Sequence, residues 1–197
     1  MRLILASASA SRARILRGAA VPFTAVPADL DEDALKSELL AQKKTPAAVA
    51  AALAQAKAIH VSKAHPHALV LGADQVPEFG DELVSKCTNI AAARLLLLRL
   101  RGKPHHLISA LALAQDGMLA WTHVETATLR MREFSETFLD AYLSTEGDGL
   151  LAGVGCYRLE GMGAQLFESV EGEYFSILGL PLQPLLAELR HRGVIAQ

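Results

Sequence analysis

Short apolar runs alternate with stretches of helical periodicity along most of the chain. Residues 3–6 and 68–73 are continuous apolar runs, which are typical of strands covered on both faces. An alanine-rich stretch begins at Thr45 and Pro46, a favoured N-cap and a favoured first helical residue. It predicts a helix that ends near Lys63. The alternation as a whole predicts an α/β fold.

Hairpin signals in the second half of the chain predict antiparallel strands as well. Residues 106–114 form a long apolar run, an Asp-Gly turn stands at 116–117, and residues 119–131 lead back. We also expect a short hairpin over residues 167–178 with its turn at 171–172. Strands of both kinds predict a mixed sheet rather than a purely parallel one.

Composition narrows the class of protein. The 197-residue chain is 51% hydrophobic and 20% charged, which supports a sizeable core. The length suits one domain with two lobes or one and a half domains, and we expect a single domain over residues 1–197. The net charge of −2 disfavours binding to a nucleic acid polymer, because a phosphate backbone requires a concentrated positive surface. No apolar run reaches the ~20 residues that span a membrane. Cys87 and Cys156 show no metal-site or close-pair spacing, so we expect a soluble protein of the reducing cytoplasm.

A polar segment follows the first apolar run. Serines stand at positions 7, 9 and 11, and Arg12 comes at the start of a predicted helix. Free backbone N–H groups at a helix start bind anions, and an arginine adds a planar set of donors. The segment could equally be a serine N-cap followed by a surface arginine. It lacks the Gly-Lys-Ser/Thr ending of a P-loop.

Two charged residues stand in apolar surroundings. Lys57 falls on the same helical face as Leu53 and Val61, where a lysine either extends outward to water or reaches a buried anion. Asp74 directly follows the apolar run 68–73, so we expect it at the carboxyl end of a buried strand, where α/β folds bind ligands. There it could hold a cation or accept a proton from water, or it could simply form a turn.

Two more candidates lie on predicted loops. Glu32 belongs to the acidic run 29–33, and Lys86 follows a short strand-like segment. Each is most simply a solvated surface charge. Together with Arg12, Lys57 and Asp74, however, they suggest a site for a metal ion and a polyphosphate.

Taken in order, these residues resemble the motifs of the Maf-like nucleotide pyrophosphatases, also called septum formation proteins. The resemblance extends nearly from end to end. The matching motifs are Leu5-Ala6-Ser7-Ala8-Ser9 with Arg12, Asp31-Glu32, Ala56-Lys57-Ala58, Gly72-Ala73-Asp74-Gln75-Val76, Glu82-Leu83-Val84-Ser85-Lys86, Arg101-Gly102-Lys103-Pro104-His105, Glu160-Gly161-Met162-Gly163 and Gly179-Leu180-Pro181-Leu182.

The resemblance implies a fold similar to inosine triphosphate pyrophosphatase, an elongated mixed β-sheet flanked by helices, with two lobes and a central cleft. It implies an enzyme, commonly a homodimer, that hydrolyses a nucleoside triphosphate to the monophosphate and pyrophosphate with a divalent cation, Mg²⁺ or Mn²⁺. The site residues that it implies have three roles: catalysis by Asp74, Lys57 and Lys86, substrate binding by Ser7, Arg12, Gln75 and Glu160, and metal binding by Glu32 and Asp74.

Departures from the family pattern leave the base and the activity open. Gln75 and Glu160 resemble the branch that acts on 7-methyl-GTP, and a carboxylate would suit that cationic base. That branch usually has Trp where this chain has Ser11, and the family usually has Pro where Cys87 follows Lys86. The alternative is a non-catalytic nucleotide-binding regulator of cell division and septum formation.

Overall fold

A computed structural model describes residues 1–80 and 82–196 of the protein. The strands of the described residues are β1 (Leu3–Leu5), β2 (Thr24–Ala25), β3 (Leu69–Phe79), β4 (Glu82–Leu83), β5 (Pro104–Gln115), β6 (Met118–Met131) and β7 (Phe167–Glu171). The α-helices are α1 (Ala10–Gly18), α2 (Glu32–Ala41), α3 (Pro46–Ala64), α4 (Ile90–Leu100), α5 (Glu136–Glu146), α6 (Tyr174–Ile177) and α7 (Leu182–His191). Two 3-10 helices span Gly147–Ala152 and Met162–Leu166.

The seven strands form one mixed sheet, flanked by helices, in the order β2-β1-β3-β5-β6-β7, with β4 paired to β3 outside this order. β1 is parallel to both β2 and β3, whereas β4 is antiparallel to β3 and β7 is antiparallel to β6. The predicted mixed α/β sheet is therefore confirmed. Among the described residues, no helix combines the length and the hydropathy that crossing a bilayer requires.

The chain forms two compact units. The first unit comprises Met1–Gln75, Ile108–Thr126 and Glu173–Gln197, and the second comprises Val76–Leu107 and Ala127–Gly172. Strands β3, β5 and β6 each contain a boundary between the two units. The expectation of one domain over the whole chain stays a prediction.

In the first unit, the two faces of β3 are buried in different clusters. Leu69, Leu71 and Ala73 pack with residues of α1 and α7. Val70 packs on the other face with Val61 of α3. Since side chains alternate along a strand, burial on both faces requires the continuous apolar run seen in the sequence.

Helix α3 begins as predicted. Thr45 is its N-cap and accepts a hydrogen bond from the Ala48 N–H at 3.3 Å, and Pro46 is its first residue. The helix lies so close to β3 that a Cβ at Gly72 would collide with the carbonyl oxygen of Ala54. Glycine at position 72 thus allows strand and helix backbones to touch.

In the second unit, the core is built mainly by α4 and α5. Leu97 and Leu100 of α4 are buried with Leu139 and Tyr142 of α5. Ser135 caps α5 by accepting a hydrogen bond from the Phe138 N–H at 3.1 Å. This core packs apolar helix faces together.

Two local expectations from the sequence were wrong. The acidic run 29–33 is not a loop throughout, because Asp31 caps α2 by accepting from the Ala34 N–H at 2.9 Å. The segment 167–178 is not a hairpin, because α6 follows β7. Glu173 caps that helix by accepting from the Ser176 N–H at 2.8 Å.

Candidate active site

The Lys57 ammonium lies between two carboxylates in the first unit. Its Nζ is 2.6 Å from Asp74 Oδ1 and 2.7 Å from Glu32 Oε2. Lys57 and Asp74 are only 6% and 8% exposed, whereas 47% of the Glu32 side chain is exposed. Buried charges persist when they are paired, so Lys57 and Asp74 form the buried ion pair and Glu32 completes it from the water side.

These three side chains come from three elements. α3 presents Lys57 on its buried face, β3 presents Asp74, and the first turn of α2 presents Glu32. Asp74 lies two residues after Gly72 and thus on the same face of β3, the face against α3. The close approach of strand and helix explains why a lysine on α3 can reach the strand carboxylate.

The expected position of Asp74 at the end of a strand was wrong, because β3 continues to Phe79. Its parallel neighbour β1 ends much earlier, with Leu5 opposite Leu71 as its last partner. Asp74 therefore lies beyond the carboxyl end of β1 rather than beyond the end of β3. The ligand-binding edge that the sequence suggested is the edge of the neighbouring strand.

The polar segment after β1 is a helix N-terminus. Ser9 caps α1 and accepts from the Arg12 N–H at 3.3 Å, while Ser7 Oγ accepts from the Ser9 N–H at 3.2 Å. The Arg12 side chain folds back over this turn, with Nη1 donating to Ser7 Oγ at 3.2 Å and Nε donating to the carbonyl oxygen of Gly179 at 2.9 Å. Ser7 and Arg12 are therefore brought together as predicted.

Asp74 and Glu32, which with Lys57 form the charged cluster, also act electrostatically on Arg12. Burial lowers the pKa of its guanidinium, and the negative charges of Asp74 and Glu32 act in the opposite direction. An arginine remains protonated in proteins, so this half-buried cation stays charged. The first unit thus concentrates two cations and two carboxylates in one region.

Gln75 faces away from the charged cluster. As the neighbour of Asp74 it points to the opposite face of β3. Its Nε2 lies 2.9 Å from Ser109 Oγ, 2.9 Å from the Ser176 carbonyl oxygen and 3.1 Å from that of Ile177. A substrate-binding role for Gln75 stays a prediction.

Lys86 and Glu160 belong to the second unit. Lys86 is exposed on the irregular segment after β4, and Glu160 is exposed in a turn that precedes the second 3-10 helix. Their predicted roles with the residues of the first unit stay predictions.

The two carboxylates fit a hard divalent cation. Lys57 engages Asp74 Oδ1 and Glu32 Oε2, and no described residue donates to the second oxygen of either carboxylate. Carboxylate oxygens are the donors that Mg²⁺ and Mn²⁺ prefer. No group of three or more His, Cys, Asp or Glu side chains that could hold a metal occurs in the part of the chain that the structure describes. A cation here would thus need oxygen ligands from elsewhere, such as phosphates.

Sequence reasoning missed Ser109 as a member of this region. It is fully buried in β5, where its hydroxyl bridges Gln75 and the backbone of Ser176. A hydroxyl within an otherwise apolar strand was the available signal, since a buried polar group requires a partner. The partner could not be read from the sequence because it lies 67 residues away.

The chain is similar to known proteins over nearly its whole length. A family model described as Maf-like protein matches residues 2–192. A relative from Maricaulis maris, named nucleoside triphosphate pyrophosphatase, is 50% identical over 196 residues, which cover 100% of this chain and 99% of the relative.

Other relatives have a more specific name. A protein from Brucella abortus biovar 1, named 7-methyl-GTP pyrophosphatase, is 45% identical over 195 residues, covering 99% of this chain and 98% of the relative. A protein of the same name from Mesorhizobium japonicum is 47% identical over 194 residues, covering 98% of each chain.

Proposed function

The chain belongs to the Maf-like protein family, and from that premise we propose that it is an enzyme that hydrolyses a nucleoside triphosphate to the monophosphate and pyrophosphate. The observation that carries this proposal is the buried Lys57–Asp74 pair, joined by Glu32, in the same region as Arg12. Cations and carboxylates gathered in this way match the needs of phosphoryl chemistry, which consists of positioning and neutralising charge.

Asp74 has the central role in this proposal. Its Oδ1 is held by Lys57, whereas no described residue donates to its Oδ2, which leaves that oxygen available to orient water and accept its proton. Asp74 and Glu32 would hold the divalent cation. When bound, Mg²⁺ or Mn²⁺ supplies charge neutralisation and lowers the pKa of coordinated water.

The cations would bind the phosphates. An ammonium has three N–H donors, so Lys57 keeps a donor for a phosphate oxygen beyond its two carboxylate contacts. The Arg12 guanidinium uses Nε and Nη1 on Gly179 and Ser7 and keeps further donors for the same purpose. Ser7 lies just before the N-cap of α1, where helix N–H groups favour an anion. Lys86 completes the set in the proposal.

The proposal extends to 7-methyl-GTP as substrate, with Gln75 and Glu160 in contact with the nucleoside. Three relatives carry that name, and a carboxylate at position 160 would attract the cationic base. The proposed setting is the cytoplasm and the proposed assembly a homodimer, which light scattering of the purified protein would test.

The first experiment measures pyrophosphate released from 7-methyl-GTP, GTP, dTTP and UTP in the presence of Mg²⁺ or Mn²⁺. We expect release by the wild type and a loss of roughly 10²–10³-fold in turnover for Asp74→Asn, because the variant lacks the anionic oxygen. Asp33→Asn is the control, since it removes an exposed carboxylate from the same helix turn as Glu32.

Circular dichroism of each variant separates loss of fold from loss of chemistry. A folded Asp74→Asn protein that keeps most of its turnover would contradict the proposal. Nucleotide binding without pyrophosphate release by the wild type would instead support the non-catalytic regulator.

A further inference from the structure

The face of β3 opposite Asp74 carries a neutral hydrogen-bond network within the first unit. Gln75 Nε2 is surrounded by three oxygens, which are Ser109 Oγ and the carbonyl oxygens of Ser176 and Ile177. Ser109 Oγ in turn donates to the Ser176 carbonyl oxygen at 2.7 Å. Ser109 and Ser176 are both buried, at 0% and 1% exposure, so water does not replace these partners.

The network defines which end of the Gln75 amide faces inward. Carbonyl oxygens only accept hydrogen bonds, so the atom against Ser176 and Ile177 must be the NH₂ group. Ser109 spends its hydroxyl hydrogen on Ser176, and therefore it faces Gln75 as an acceptor. A flipped amide would place Oε1 against two carbonyl oxygens and would remove the Nε2 donor from Ser109 Oγ and from the Ile177 carbonyl oxygen, which is costly.

The fixed amide leaves one polar atom of Gln75 unused. Oε1 accepts no hydrogen bond from any residue in 1–80 or 82–196. It lies on the Arg12 side, because a Cβ built on Gly179 would be 3.6 Å from Gln75 Oε1 and 3.8 Å from Arg12 Nε. Gln75 Oε1, which can accept a hydrogen bond, and the Arg12 guanidinium, which can bind a phosphate, therefore lie close to the same point beside Gly179.

We propose that Ser109 is a positioning residue which, with the Ser176 and Ile177 carbonyls, fixes the Gln75 amide so that Oε1 faces a hydrogen-bond donor of the bound nucleotide. The donor is a base N–H or a ribose hydroxyl. Phosphate oxygens are acceptors and would be repelled by Oε1, so Oε1 favours a donor group of the nucleotide, whereas Arg12 favours phosphate oxygens. This inference rests on the proposed function, because it assumes a nucleotide in the region of Arg12.

A fixed acceptor selects more strongly than a free one. A site that presents a preorganised acceptor rejects analogues that lack the matching donor, since the acceptor then stays unpaired. Without Ser109, the NH₂ group loses one of its three acceptors, so the two remaining carbonyl oxygens hold the amide less firmly. Loss of Ser109 should therefore change the discrimination between nucleotides. Loss of a serine that only fills the core should change kcat/KM equally for all nucleotides.

The test compares kcat/KM for the better of 7-methyl-GTP and GTP with four analogues that each lack one donor. The analogues are N-methylated at the ring imino nitrogen, without the exocyclic amino group, 2′-deoxy and 3′-deoxy. We expect the wild type to disfavour one analogue by roughly tenfold or more. We expect Ser109→Ala to reduce the ratio of kcat/KM for the parent nucleotide to kcat/KM for that analogue roughly tenfold, through a higher KM for the parent nucleotide.

Two variants control for structure. Ser62→Ala removes another fully buried serine of the first unit, which donates to the Ile59 carbonyl at 3.0 Å and accepts from the Gly117 N–H at 3.0 Å. It should leave the ratio unchanged, and Ser109→Thr should restore it because the hydroxyl returns. In a Gln75→Ala background, adding Ser109→Ala should change the ratio no further if Ser109 acts through Gln75.

Each outcome has a clear reading. Equal use of all four analogues by the wild type, or an equal loss on every nucleotide in Ser109→Ala, would overturn the inference while the proposed function stands. If the wild type binds nucleotides without hydrolysis, the proposed function fails and dissociation constants for the same analogues test the inference by calorimetry. Absence of both binding and hydrolysis overturns both.

Discussion

Both units bury titratable side chains, and the charge that these carry differs. The first unit buries the charged pair of Lys57 and Asp74, with Nζ and Oδ1 2.6 Å apart. In the second unit the Glu146 carboxylate is paired with the exposed Arg158 at 3.4 Å, and the buried histidine, thiol and phenols are neutral. Burial lowers the pKa of His105 to about 4, with a smaller contribution from His106, and it raises the pKa of the Cys156 thiol to about 12, with a contribution from Cys87.

The phenols of the second unit follow the same rule. Burial raises the pKa of Tyr157 and of Tyr142, so both remain protonated. Tyr157 Oη lies 2.8 Å from His105 Nε2, a contact between two neutral groups. Charge retained at a desolvation cost is available for chemistry, whereas neutral polar groups serve packing and hydrogen bonding. The comparison thus assigns the candidate chemistry to the paired charges of the first unit.

Removing the central cation should have the largest effect on stability. Lys57→Met leaves Asp74 buried without a counter-charge, so we expect the free energy of unfolding to fall by about 3 kcal/mol. Lys63→Met is the control, because Lys63 is an exposed lysine in the last turn of the same helix. Urea denaturation compares the two variants. Equal losses would mean that the buried pair has no special energetic role.

Acid should destabilise the protein through the second unit. Folded His105 stays neutral down to about pH 4, whereas the unfolded chain takes up the proton near pH 6.5, so stability falls as the pH drops between these values. The contribution is roughly 2 kcal/mol between pH 7.5 and pH 5. In addition, protonation would put an N–H on Nδ1, and no described residue is its hydrogen-bond partner.

Urea denaturation at the two pH values measures this loss. His105→Gln removes the titrating group, and its stability should depend on pH less steeply than that of the wild type by the same amount. His60→Gln, at an exposed histidine of α3, should retain the wild-type slope. An unchanged slope in His105→Gln would rule out His105 as the source.

The smallest effect is expected at the exposed end of the charged cluster. Glu32→Gln should cost less than about 1 kcal/mol of stability, because the carboxylate is half exposed and water screens its pairing with Lys57. Asp33→Asn removes the neighbouring acid from the same helix turn and serves as the reference. A cost as large as that of Lys57→Met would show that all three charges form one buried unit.

The sequence predicted the elements whose signals are local. The start of α3 at Thr45 and Pro46 and the two-sided burial of residues 68–73 are confirmed, because capping and alternation are set by neighbours in the chain. Helix α2 was missed because it has no buried residue, so apolar periodicity could not reveal it. The end of β3 was missed because strand pairing, rather than composition, extends it to Phe79.

The part of the candidate site that could be predicted consists of charged residues in apolar surroundings. A lysine on an apolar helix face and an aspartate after an apolar run both stand out in the sequence, and the structure brings them together. Ser109 was not found, because its role depends on backbone carbonyls whose position only the fold determines. Roles for Lys86 and Glu160 rest on family resemblance and stay predictions.

The contact of Arg12 with Gly179 has a consequence for how the protein is made. Lys57 and Asp74 are separated by 17 residues, so they can meet soon after both leave the ribosome. Gln75 and Ser176 are 101 residues apart, and Arg12 and Gly179 are 167 apart. The carbonyls that orient Arg12 and Gln75 are thus synthesised long after the residues that they orient. Lys57 and Asp74 can therefore meet in a nascent chain before the partners that fix Arg12 and Gln75 have been made.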